Sequence, residues 1–139
     1  MWLNSTAQNA LRAVLFIAET EGDGPVRVDD IAGALESPRN YLSKTLHNLA
    51  RAGVLTSMRG RNGGFRLADA PSDLVLARVI SPFLPAGGRR CLMGRPHCGS
   101  SAPCLMHDRW THVASHVEDF FEKTTIADLL KLDPAGRPI

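Results

Sequence analysis

All the cysteines of the chain fall in one short segment, Cys91, Cys98 and Cys104, and His107 follows the last at the spacing C-x6-C-x5-C-x2-H. Gly94, Pro96, Gly99, Ser100 and Pro103 lie between them and let the backbone double back, as a cage built from one loop requires. Thiolates and imidazole select zinc, copper(I) or iron–sulfur centres, whereas magnesium and calcium take oxygen. The segment is therefore expected to be an irregular loop around a soft or borderline metal. Structural cysteines are ordinarily scattered through core helices, and a secreted disulfide framework needs a leader. The first thirty residues lack the basic, apolar and small-residue order of such a leader, so a cytoplasmic protein is expected.

At 139 residues and 44% hydrophobic content the chain is long enough for one core and short for two. No apolar run approaches the ~20 residues that span a bilayer, so no membrane partner is expected. The formal charge of +2 is small but unevenly spread. Over residues 37–65 there is no acid, while Arg39, Lys44, Arg51, Arg59 and Arg61 lie there with His47, and Arg66 follows. Local density of one sign in a near-neutral chain marks a nucleic-acid face, since a merely solvated surface interleaves both signs.

Ser5 and Gln8 form a capping-box pair ahead of Ala10, Leu11, Val14, Leu15 and Ala18, which predicts a first helix of about four turns. Val28, Ile31, Ala32 and Leu35 predict a second helix of two turns. Ser37-Pro38 then signals the start of a third, running to about Ala52. Its buried stripe is Leu42, Leu46, Leu49 and Ala50, and its opposite face carries Asn40, Ser43, Lys44, His47 and Arg51, with Arg39 and Tyr41 flanking the first turn. A short helix, a brief turn and a helix with an acid-free polar face make a helix-turn-helix, whose second helix meets base edges. Asn pairs with adenine and Arg with guanine, and Lys44 or Arg51 suits a phosphate.

Two short strands, residues 54–58 and 65–68, flank Arg59-Gly60-Arg61-Asn62-Gly63-Gly64, where Asn62-Gly63 is the favoured hairpin dipeptide. The hairpin is a wing that sets Arg59 and Arg61 against phosphates or a narrow minor groove. Ser72 is expected to cap a short helix bearing Leu74, Val75, Val79 and Ile80. Pro103 is expected to open a long one, with Met106, Trp110, Val113, Val117, Phe120 and Phe121 as the seam of a packed or coiled-coil pair. Thr125 caps a last turn, and residues 133–139 read as a disordered tail. The fold class is thus mainly α with a small β-hairpin. It divides into a winged helix-turn-helix domain (1–84), a cysteine loop (85–104), a dimerisation helix with a short C-terminal helix (105–132) and a tail (133–139).

Ala10-Leu11-Arg12, Tyr41-Leu42 with Leu46 and Leu49, Arg59-Gly60 before Gly63-Gly64-Phe65, the three cysteines and Thr125-Ile126-Ala127-Asp128-Leu129 together resemble the Rrf-two family of bacterial winged-helix regulators, the IscR, NsrR and RirA group. The resemblance implies a homodimer crossed by the long helices, and an iron–sulfur cluster, two-iron or four-iron, whose state sets affinity for a pseudo-palindromic DNA operator. It implies Cys91, Cys98 and Cys104 as ligands. The fourth is His107 by analogy with IscR-like members. NsrR-like members use a first-helix acid where this chain has Gln8. The leading reading is a regulator, a repressor, sensing iron, redox state or nitric oxide, and not an enzyme. Alternatives are the same DNA binder with a structural zinc clip or a thiol switch, and a small electron-transfer protein. Against the last stands the lack of ferredoxin-like cysteine runs.

Overall fold

A computed structural model describes residues 3–20, 22, 24–87 and 89–131; the tail expected over 133–139 lies outside the described residues. The elements in chain order are α1 (Ser5–Glu19), α2 (Val28–Leu35), α3 (Arg39–Arg51), β1 (Leu55–Met58), β2 (Gly64–Leu67), α4 (Leu76–Ile80), a 3-10 turn (Ser81–Phe83), α5 (His107–Lys123) and α6 (Ile126–Lys131). The described residues are therefore mainly helical with one antiparallel hairpin, pairing Leu55 with Leu67 and Met58 with Gly64.

α1 turns Ala7, Ala10, Ala13, Val14 and Ile17 inward, and its small residues let α2, α3 and α4 pack close. Its cap is Asn4 rather than Ser5: Asn4 Oδ1 accepts from the Ala7 amide at 2.8 Å, and Asn4 Nδ2 donates to Phe83 O at 2.7 Å. Asn4 outcompetes Ser5 because one side chain satisfies a free helix amide and pins the 3-10 turn. Gln8 reaches back to Leu3 O, at 3.3 Å, instead of closing a capping box.

α2 carries Asp29 and Asp30 in its first turn, favourable against the helix dipole, and ends on Glu36 at φ 50°. Among the described residues Glu36 alone holds a positive φ without being glycine, and it lets Ser37 N bond back to Ala32 O at 3.1 Å. That tight reversal sets α3 across α2. Pro38 occupies the cap of α3 and Arg39 its first turn, so Ser37 does not cap: the reversal already uses its backbone, and Leu42 N bonds to Pro38 O. Leu42, Leu46 and Leu49 are fully buried, each contributing about 1.5–3 kcal/mol. Thr45 joins them, its hydroxyl donating to Tyr41 O.

The wing departs from expectation in its turn. Residues 59–63 form a loop longer than a two-residue hairpin, with Gly63 N bonded to Gly60 O at 3.0 Å, and Asn62 is not at positive φ. Gly60 carries that conformation, at φ 106°. Gly64 passes so near Val26 that a Cβ there would lie 2.3 Å from Val26 O. Val26 and Phe65 exchange both backbone hydrogen bonds, which adds a one-residue bridge along the outer edge of β2.

α4 begins at Leu76, not at Ser72, because Val75 is held extended by a bridge to Thr125. The same bridge brings α6 home, with Ile126 N bonded to Leu74 O and Ile126 fully buried in the winged-helix core. Thr125 and Asp128 cap α6 reciprocally, side chain to amide, at 3.0 and 3.1 Å. α5 starts at His107 rather than Pro103, since residues 99–107 wind through turns, Ala102 N to Gly99 O and His107 N to Cys104 O.

Candidate metal centre and nucleic-acid interface

The cysteine loop leaves α4 and the 3-10 turn, crosses α5 and returns to its N-terminus. Arg89 makes the crossing. Its guanidinium donates to both carboxylate oxygens of Glu118 (3.0 and 2.5 Å), to Ser115 Oγ (3.1 Å) and to Thr111 O (3.2 Å), and so straddles successive turns of α5. The bond to Arg89 holds the Glu118 carboxyl below its ordinary range, and Glu118 in turn holds the guanidinium above its own. Trp110 Nε1 donates to Arg90 O at 2.9 Å. The two residues before Cys91 are thus strapped to the long helix. No periodicity signals this, because Arg89 meets partners 22 to 29 residues away.

Beyond the strap the three sulfurs converge. Cys91, Cys98 and Cys104 Sγ all lie within 4.8 Å of one another, half-buried and free of disulfides. Cys91 and Cys104 are 3.7 Å apart, and His107 Nδ1 lies 3.3 Å from Cys98 Sγ. The backbone amide of Arg95, then that of Met93, stabilises the Cys91 thiolate and lowers its pKa to about 7, with smaller help from Cys98 and Cys104. Cys98 moves the other way. A backbone bond at Cys104 favours its thiolate, but burial and the adjacent thiols Cys104 and Cys91 outweigh it. Three thiolates this close repel each other until a cation joins them, and the donor set fits a soft or borderline metal. Gln8 is exposed on α1.

α3 and the wing present the basic surface. Asn40, Lys44, Arg59 and Arg61 are exposed and Ser43 is half-buried. Arg39 is exposed but ion-paired with Asp29 of α2. Tyr41 keeps 37% of its surface, and its hydroxyl is 2.6 Å from Thr6 Oγ1, which ties α3 to α1. His47 rests edge-on against Phe65 of β2 and donates from Nδ1 to Ser43 O, locking recognition helix to wing. Sequence reading placed His47 on the polar face without that linking role, because its partner is on another element.

α5 carries an uncovered apolar stripe. Met106, Val113 and Phe120, spaced by heptads, are 37%, 53% and 50% exposed, and Ala114 is the one fully buried residue of the helix. An open groove of about 640 Å³ runs between α5, the 3-10 turn and residues 89–92.

Comparison with known proteins agrees with this architecture. The model of the Rrf2 (Rrf-two) family, described as an iron-dependent transcriptional regulator, matches residues 3–132. A protein of Aquifex aeolicus assigned as an HTH-type transcriptional regulator is 35% identical over 136 residues, covering 96% of this chain and 94% of the relative. The HTH-type transcriptional regulator IscR of Photobacterium profundum is 29% identical, covering 94% of this chain and 76% of its own. The solved IscR of T. potens superposes with a TM-score of 0.75 at 24% identity, covering 94% of this chain and 87% of that one, and shares its fold. With a winged helix-turn-helix built by α1–β2 and a family match across nearly all of its length, the chain belongs to the Rrf2 family of DNA-binding transcription regulators, which are not enzymes.

Proposed function

We propose that the chain is a cytoplasmic, homodimeric repressor that reports iron supply, redox state or nitric oxide through an iron–sulfur cluster bound by Cys91, Cys98, Cys104 and His107. One observation carries this: a loop otherwise without regular structure brings its three thiols within 4.8 Å and sets His107 beside Cys98. When bound, the cluster supplies a centre whose presence and charge depend on iron, oxidants and nitric oxide. Arg89 and Trp110 pass the loop's posture to α5, and the stripe of Met106, Val113 and Phe120 seats against the same stripe of a second copy. Two recognition helices then face two half-sites, whose spacing the α5 pair sets.

At the operator, Asn40, Ser43 and Lys44 face the duplex, and Arg59 and Arg61 reach phosphates or the minor groove from the wing. Arg39 leaves Asp29 at little cost for a pair with both partners more than half exposed. Tyr41 contacts DNA with its exposed surface while Thr6 holds its hydroxyl.

A second reading, a structural zinc clip, is favoured by the 3.7 Å between Cys91 and Cys104. Two sulfurs each about 2.3 Å from one tetrahedral ion sit about 3.8 Å apart. Anaerobic isolation from iron-replete cells separates the two. Brown protein with iron and acid-labile sulfide, lost in Cys98→Ala and shifted in His107→Ala, supports the cluster; colourless protein with stoichiometric zinc sinks it. Operator binding should weaken with salt and with Arg59→Ala.

A further inference from the structure

Along the flank of the apolar stripe of α5, where His116 falls three residues after Val113 and four before Phe120, lies a feature that the thiol centre does not use. His112 and His116 stand one turn apart, both exposed, with ring centroids 4.6 Å apart and planes at 62°. His116 Nδ1 lies 2.9 Å from His112 O. A carbonyl only accepts, so Nδ1 carries the proton, and the neutral ring presents its lone pair at Nε2. Backbone anchoring of the far nitrogen is what orients an imidazole that ligates a metal.

We propose that His112 and His116 form a second metal site, separate from the thiol centre, for a borderline divalent transition ion such as nickel, copper(II) or zinc. Two histidines at i and i+4 on one helix face can close on a single ion, and nitrogen donors suit these ions rather than magnesium or calcium. Asp119, three residues beyond His116, has its carboxylate held by Lys123 Nζ at 2.7 Å. The imidazole pair is therefore the binding unit, and water fills the remaining positions. The site lies on the helix that bears the strap and the stripe, so an ion there gives α5 an input independent of the cysteine loop.

The test is Ni²⁺ titrated into the full chain with Cys91, Cys98 and Cys104 all replaced by Ser, so that the thiol centre takes none of the ion, followed by the imidazole proton signals of its five histidines and by equilibrium dialysis. The signals of His112 and His116 should broaden first. Separately, His112→Gln and His116→Gln should each weaken binding at least about tenfold, since loss of even a supporting partner of a ligand costs that much. Because the thiols are absent from this protein, the binding it retains is distinguishable from that of the thiol centre. A smaller loss in either histidine variant, or first broadening at His47, His97 or His107, overturns the assignment.

Discussion

The winged-helix half and the α5 half of this molecule are finished to different degrees. In the first, α1, α3 and β2 bury Val14, Ile17, Leu42, Leu46, Leu49 and Phe65 almost completely, and even α6 returns Ile126 to the same core. In the second, the 17 residues of α5 bury only Ala114 fully, and Leu105, Val113 and Phe120 stand in solvent. Exposed apolar side chains at heptad spacing beside a ring of unbridged thiols describe a surface completed by something outside the chain. The winged-helix half closes its own core, while the α5 half leaves open the apolar stripe and the thiols that the proposed second copy and metal would cover.

The sharpest break of that contrast is in the core. Leu46→Ala should cost about 2–5 kcal/mol in denaturant unfolding, because the packed helices around it cannot collapse into the void. Phe120→Ser, on the open stripe, should leave the stability of the single chain within about 0.5 kcal/mol while shifting its mass in sedimentation from dimer to monomer. Equal destabilisation by the two would erase the distinction.

Smaller effects sharpen it. Glu118→Gln or Arg89→Ala loosens a strap worth at most about 1 kcal/mol, since Glu118 keeps 42% of its side chain exposed. Either variant should retain bound metal, yet show a smaller difference in operator affinity between metal-loaded and metal-free protein. Because pairing with Arg89 lowers the Glu118 pKa, the strap is complete above the ordinary carboxylate range, about pH 4.3, and is lost as pH falls through the lowered folded value. Stability curves of wild type and Glu118→Gln should converge in acid. At the reversal between α2 and α3, Glu36→Gly should raise stability by about 0.5–1 kcal/mol, as glycine adopts φ 50° without the Cβ penalty.

What could be read from residue order is what local spacing encodes. Leucines at three- and four-residue intervals gave the inner face of α3, and the run without acids marked its outer face and the wing. Thr125 announced the α6 cap, because its partner, Asp128, lies within one turn. Where a remote partner intervened, local rules failed. Asn4 displaced Ser5 because Phe83 offered a carbonyl, Val75 stayed extended because Thr125 paired with it, and α5 began late because the turns at 99–107 took its first residues. Arg39 and Tyr41 look free in sequence but are met by Asp29 and Thr6.

Sequence by itself determined that three thiols and a histidine share one pliable loop, that a basic helix and hairpin follow one another, and that a long helix carries more apolar surface than a short chain can cover. Only the tertiary structure decided that the sulfurs meet, that Arg89 fastens the loop to α5, and that Met106, Val113 and Phe120 stay outside. The reason is physical: helical period and turn chemistry act over a few residues, whereas which side chains meet across 22 to 29 residues depends on how the whole core closes.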